Sequence, residues 1–303
     1  MSRPDHTAAE HHATDAAAPR VPPQLMVLGA ILSVQVGAAI GRSLFDEIGA
    51  TGATFLRVAI AAVVLAVVVR PDVRSWDRRA WIAAAVLGAT MAGMNLVFYL
   101  SLQTVPLGVA VTVEFLGPLV LSLVQTRRVV DLVWALLAAA GVALLGLSTT
   151  SGIPLSGLAL AGLAGLFWAG YILGSARLGQ VLPGAGGLAV SLSVAAVLVA
   201  PFGLAQAGAV LDDPILLVPA AAVALLSSVI PYGLELEALR SIPTRVFGIL
   251  MSLEPAAAAA AGWVLLSQAL GARELTALVL VSAASLGVTL GRRPDAMPLQ
   301  PLE

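Results

Sequence analysis

The chain has 303 residues, of which 59% are apolar and 11% charged, with a mean hydropathy of +0.97 and no cysteine. A soluble domain carries about 45–50% apolar and about 25% charged residues, so the composition excludes an ordinary water-soluble protein and describes one that crosses a membrane repeatedly. The formal net charge of −1 excludes the basic stripe of a nucleic-acid binder, and a chain without cysteine has no disulfide, iron–sulfur or thiolate zinc chemistry.

Residues 1–24 mix both charge signs with Pro, Ala and Thr and hold all three histidines, His6, His11 and His12. Such a segment buries too little apolar surface to fold alone, and it lacks the apolar centre of a secretory signal. It reads as a disordered cytoplasmic tail. From residue 25 onward, apolar stretches of about 20 residues, the length of helix that crosses about 30 Å of hydrocarbon, alternate with polar breaks. Ten transmembrane helices are expected, over 25–45, 52–70, 80–101, 106–125, 130–148, 156–177, 187–207, 215–236, 244–266 and 273–291, followed by a second tail, 292–303. The breaks carry charge or turn residues: Asp46 to Gly49, Arg70-Pro71-Asp72, Arg127-Arg128, Ser151 to Pro154, Pro183-Gly184, Asp212-Asp213-Pro214 and Gly271 to Arg273. No stretch alternates polar and apolar residues as a membrane β-barrel strand does. The fold class is therefore an all-α membrane protein.

All 16 basic residues are arginine. A cytoplasmic N-terminus puts most of them on the cytoplasmic side, including Arg70, Arg74, Arg78, Arg79, Arg127, Arg128, Arg177, Arg240, Arg245, Arg292 and Arg293. Arg42 and Arg273 fall outside and Arg57 falls within a span, so both termini are expected in the cytoplasm.

The chain also matches itself weakly. Val105-Pro106 and Pro118 recur 137 residues later as Ile242-Pro243 and Pro255, and Gly37 and Gly41 recur 133 residues later as Gly170 and Gly174. This divides the spans into two five-helix repeats, 25–150 and 151–291. Because five is odd, the second repeat enters from the opposite face, the inverted arrangement of many secondary transporters, whose sites lie near the midplane at the repeat interface.

Each ionisable residue inside a span costs about 2.5–3.5 kcal/mol on insertion scales, so those present need a reason. Glu114 and Glu254 fall close to the middle of their spans. Pro118, Pro231 and Pro255 lack an N–H and free the carbonyls of Glu114, Ser227 and Met251, either as packing kinks or as part of a polar cavity. Arg57 is deep enough to bind and shallow enough to snorkel, whereas Arg42, nearer the surface, reads as an anchor. Asn95 and Tyr99 share one helical face, and interhelical bonding and ligand contact stand even for them. For Gln35 and Ser228 interhelical bonding is the better reading. Glu235 and Glu237 approach the cytoplasmic surface and read as solvated. Trp168 and Tyr171 lie at mid-depth, as packing or a cavity wall. Were these groups to converge, a small zwitterion would satisfy them, its carboxylate on Arg57 and its ammonium on Glu114 or Glu254, with Asn95, Tyr99 and Tyr232 beside it. Removal from water disfavours the charged form of a carboxyl group, which makes Glu114 and Glu254 candidates for carrying a coupling proton.

Residues 93–119, GMNLVFYLSLQTVPLGVAVTVEFLGPL, resemble the third-to-fourth helix region of the bacterial inner-membrane threonine/homoserine exporters, a group of the drug/metabolite transporter superfamily built from two EamA-type repeats. Ile230 to Glu235 and Ile242 to Pro255 resemble the second-repeat counterpart, and Gly41 to Phe45 with Phe55-Leu56-Arg57 resemble the first two helices. Glu237 departs from the pattern, which leads one to expect an apolar residue there. The resemblance implies ten helices in the bacterial cytoplasmic membrane and antiport-type export of small neutral amino acids, with no cofactor, the partners being substrate, protons and the lipid bilayer. A carrier of cationic or aromatic drugs on the same fold, with Trp168, Tyr171 and Phe98 as a cation cage, is the alternative. A membrane-embedded enzyme is disfavoured, because no nucleophile–base set occurs in the spans.

Overall fold

Proline starts several of the helices, because a first-turn residue needs no N–H donor. In the computed structural model, which describes residues 21–125, 129–146, 153–182, 184–242, 247 and 250–291, the helix starts fall at Pro23, directly after Pro106 and Pro154, and at Pro214. Residues 1–20 of the expected tail 1–24, the expected tail 292–303, the Arg127-Arg128 and Ser151-Gly152 breaks, Pro183, and Pro243 with Arg245 lie outside the described residues; the end of the first tail is not irregular, since helix begins at Pro23.

Every regular element among the described residues is helical. The order is α1 (Pro23–Ser43), α2 (Phe45–Val69), α3 (Arg78–Ser101), α4 (Leu107–Glu114), α5 (Leu116–Gln125), α6 (Val129–Gly146), α7 (Leu155–Val181), α8 (Gly186–Ala207), the short α9 (Ala209–Asp212), α10 (Leu217–Ala224), a π-helical turn (Leu225–Val229), α11 (Ile230–Ser241), α12 (Glu254–Leu266) and α13 (Ala272–Gly291). Six helices are long and apolar enough to cross a membrane: α1, α2, α3, α7, α8 and the composite Pro214–Glu235. Shorter apolar helices fill the fourth, fifth and ninth expected spans, and α13 follows the tenth.

Three expected features take a different form. The break at Asp46 to Gly49 is not a loop, because the chain re-enters helix at Phe45 and turns again at Gly49, where φ is 64° and only glycine is unstrained. The fourth span is two helices, interrupted at Phe115, upstream of Pro118. The eighth span is not one α-helix but passes through the π turn just before Pro231.

Helices in lipid gain little from hydrophobic burial and associate through close packing of small residues. Here α2 lies along α8, α3 along α7 and α8, α1 along α10–α11, α6 along α13, and α4 against α12. Glycine lets these backbones meet. A Cβ on Gly117 of α5 would fall on the carbonyl of Gly165 in α7, and one on Gly165 would fall on the carbonyl of Glu114. The carbonyl that Pro118 frees therefore lies against a glycine on the neighbouring helix. Gly203 of α8 meets the backbone of Thr51 and the Phe55 side chain in the same way.

The α4/α5–α7 crossing has backbone on both sides and cannot yield, so Gly117→Ala should destabilise the folded protein by about 1–3 kcal/mol through overpacking. Gly179→Ala, at an α7 position with nothing within 4 Å of the added carbon, should leave the melting temperature in detergent unchanged or slightly raised. Equal melting temperatures for the two variants would show that the crossing is looser than described.

Candidate functional site

The π turn and the proline after it create the central polar feature. In the π register the Ile230 N–H reaches back to the Leu225 carbonyl. The next acceptor in that register, Leu226, would need an N–H at position 231, as Ser227 would in α register, and Pro231 has none. Both carbonyls are instead served from other helices. Ser33 Oγ of α1 donates to the Leu226 carbonyl at 2.7 Å, and Arg57 of α2 donates through Nη2 to the Ser227 carbonyl at 2.7 Å and through Nε to Ser228 Oγ at 3.2 Å. A charged donor on a carbonyl is worth about 1.5–3 kcal/mol, so the pairing also ties α2 to the eighth span.

Arg57 is only 6% exposed and stands over the Tyr99 ring, 5.4 Å from its centroid. Among the described residues it has no carboxylate at ion-pair distance. Glu114 and Tyr232 nevertheless lie within its electrostatic reach. Glu114 and Glu254 are 8% and 7% exposed, and each lies in the other's field. The Gln35 side chain of α1, 1% exposed, donates through Nε2 to Glu254 Oε1 over a long 3.4 Å. Gln35 Oε1, Glu254 Oε2, the Tyr99 hydroxyl and Ser227 Oγ are buried without a protein partner. Several unpartnered oxygens are thus buried within the bundle, where each costs free energy unless something binds it.

Of the expected site residues, Arg57 lies on the Tyr99 ring, and Glu114, Tyr232 and, through Glu114, Glu254 lie within electrostatic range of it. Tyr171 packs on Tyr232 with centroids 6.0 Å apart, and Trp168 meets the Phe115 ring edge-on at 5.4 Å. Asn95 is buried, but its Nδ2 donates to the Met91 carbonyl of its own helix at 2.7 Å. That bond takes up one of its donors inside α3, as the interhelical alternative had not foreseen. Pro231 and Pro255 are buried at the starts of α11 and α12, and Pro118 follows the break at Phe115.

Gln35 and Ser228 make the interhelical bonds expected of them, Gln35 to Glu254 and Ser228 to Arg57. Glu235, read as solvated from the sequence, is instead only partly exposed and lies in the field of Glu254, Tyr171 and Tyr232. The available signal was the helical face shared by Ser228, Tyr232 and Glu235. Gln35 offered only its polarity in an apolar span.

The EamA-like transporter family matches residues 155–290. The threonine/homoserine exporter RhtA of Salmonella typhimurium strain SL1344 is 43% identical over 275 residues, covering 90% of this chain and 93% of that protein. The exporter of the same name from Escherichia coli K12 is 42% identical over 276 residues, with the same coverage. A solved crystal structure at 17% identity superposes with a TM-score of 0.57 over 88% of this chain and 96% of its own, a likeness of fold alone.

The hold of Ser228 on Arg57 is measurable. In a double-mutant cycle of Arg57→Met and Ser228→Ala, read by thermal unfolding in detergent, a coupling of about 1–2 kcal/mol is expected, because each single variant removes the same charged hydrogen bond. Additivity within about 0.5 kcal/mol would mean that Arg57 is positioned by Ser227 and Tyr99 without Ser228.

Proposed function

Because the chain belongs to the EamA-like transporter family, a family of carriers and not of enzymes, we propose that it exports small neutral amino acids of the threonine and homoserine type from the bacterial cytoplasm, by proton-coupled alternating access. The observation that carries this reading is the state of Arg57. The guanidinium is fixed by a backbone carbonyl and a serine hydroxyl, so its charge is oriented without being neutralised by Glu114 or Glu254.

A zwitterion completes such a centre. Its carboxylate takes the free edge of the Arg57 guanidinium, and its ammonium takes Glu114 or the unpartnered oxygen of Glu254. Tyr99, Gln35 and Ser227 offer buried polar atoms for a side-chain hydroxyl. This fits a hydroxy amino acid better than a bulky cation, which would leave Arg57 in like-charge repulsion. Tyr171, Tyr232, Trp168 and Phe115 would then close the apolar sides.

Ten spans in two inverted halves, 25–150 and 151–291, with both termini cytoplasmic, form the frame of the proposed cycle. The packing supports it by exchange. The first span packs on the eighth as the sixth packs on the third, while the second pairs with the seventh, the fifth with the tenth, and the fourth with the ninth. Gly37 sits against Ser227 of the eighth span, and its repeat partner Gly170 against Thr90 of the third. Rocking one half against the other around the central charges would open them to either side.

In inside-out vesicles with an acid interior, the protein should accumulate radiolabelled threonine and homoserine, and a protonophore should abolish the accumulation. Glu254→Gln or Glu114→Gln should remove gradient-driven accumulation while threonine exchange persists. Accumulation indifferent to the gradient in the unsubstituted protein would remove proton coupling, and uptake of a quaternary ammonium dye in place of threonine would select the drug-carrier reading.

A further inference from the structure

Arg42, at the end of α1 remote from the N-terminus, does not behave as a surface anchor. Asp46 and Glu47 follow it at four and five residues, exposed and of opposite charge, yet among the described residues the guanidinium makes no ion pair with either. It lies instead over the Phe45 ring, 5.0 Å from the centroid. Its Nε is buried and has no hydrogen-bond partner. An anchoring arginine extends to headgroups and water, whereas this half-buried one lies on an aromatic ring with its Nε out of solvent.

That face is continuous with the central site. The Phe45 and Tyr99 rings are 5.7 Å apart, and Arg57 lies over the Tyr99 ring. The backbone locks the arrangement at Gly41, the residue before Arg42, where an added Cβ would stand 2.6 Å from the Tyr99 hydroxyl oxygen. That hydroxyl is itself buried and unpartnered. Arg57, Tyr99, Phe45 and Arg42 thus form one series of two guanidinium groups separated by two adjoining rings tilted at 48°. No carboxylate of the described chain is at ion-pair distance from either cation.

We propose that Arg42, with Phe45 and the Tyr99 hydroxyl, is a second carboxylate-binding station on the outer half of the permeation path. The inference rests on the amino-acid reading above and adds a site to it. A carboxylate leaving Arg57 in a low-dielectric passage would otherwise have no further counter-charge ahead of it, and a second guanidinium two rings outward offers the next one. Substrate therefore leaves carboxylate first, its ammonium trailing from Glu114 and Glu254. The aromatic rings hold each guanidinium by cation–π attraction without neutralising it, so both stay free for the passing anion.

The test is exchange of radiolabelled threonine by the full-length protein in oriented vesicles, with the half-saturation concentration measured separately from the outer and the cytoplasmic face. Arg42→Gln should raise the outer value about tenfold, the loss of one charge-assisted pair, and the cytoplasmic value less than twofold. Arg42→Lys should raise the outer value by a smaller factor, since an ammonium keeps the charge without the planar fork. Competition by the amino alcohol analogue of threonine, which has no carboxylate, should be equally effective in all three proteins. An unchanged outer value, or equal shifts on both faces, overturns the station while leaving amino-acid export intact. Absence of threonine exchange in the unsubstituted protein overturns the export reading and the station with it. Should Arg42→Gln fail to insert, Phe45→Leu replaces it: a rise confined to the outer face supports the station, and no rise refutes it.

Discussion

A carbonyl without a donor has no water to turn to inside hydrocarbon, and each such group costs several kcal/mol. The π turn at Leu225–Val229 followed by Pro231 leaves two of them, and the central architecture of the protein follows from how they are served. Ser33 reaches across from α1 and Arg57 from α2, so three spans are bound at one level by the shortage of donors in one of them. An arginine at that depth would be expensive to bury for packing alone. Here the irregular backbone supplies the acceptor that makes its burial tolerable, and the arginine supplies the donor that makes the irregular backbone tolerable.

The same economy of donors explains why the carboxylates stay apart from the arginine. With two of its nitrogens committed to Ser227 and Ser228, the guanidinium cannot swing to form a bidentate pair with Glu114 without releasing both. Glu254 is occupied on one oxygen only, by the Gln35 amide at a distance that leaves the bond weak. The glycine crossings hold these groups in register, because Gly117, Gly165 and Gly37 let α5, α7, α1 and the π turn approach to backbone contact. Small residues at the interfaces and large charges at the centre are thus parts of one arrangement, the first fixing the separation that keeps the second unneutralised.

Much of this was readable in the residues, and the failures have physical causes. Arg57, Glu114 and Glu254 stand out because an ionisable group in an apolar span is rare, and Pro231 pointed to the Ser227 carbonyl because a missing N–H has a fixed address four residues back. The interhelical bond expected of Ser228 is there, but its partner was not assignable, since a hydroxyl in a membrane helix ordinarily bonds to its own preceding turn, as Ser191 and Ser193 do with Gly187 and Ala189. Asn95 is the converse case: its side chain is short enough to reach the Met91 carbonyl on its own helix, which the shared face with Tyr99 could not reveal. The π turn had no sequence signature beyond the proline. Arg42 was read as an anchor on depth alone, and only the structure shows the ring beneath it and its buried Nε.

Charge accounting gives the proposed cycle its internal logic. Arg57 with ionised Glu114 and Glu254 sums to −1, an unfavourable total in a medium of low effective dielectric. One proton brings the centre to zero, and a zwitterion adds nothing to that total while pairing each sign with a partner. Loss of the proton restores the excess negative charge beside the bound substrate, which repels its carboxylate toward the remaining cations on the path, Arg57 and then Arg42. The asymmetry of the two halves matters here. The proposed first half contributes Arg42, Arg57 and Glu114 and the proposed second half Glu254 and the π turn, so the proposed rocking would change the distance between the arginine and the carbonyl that holds it. In the proposed cycle, the opening of the path is thereby coupled to the freedom of Arg57.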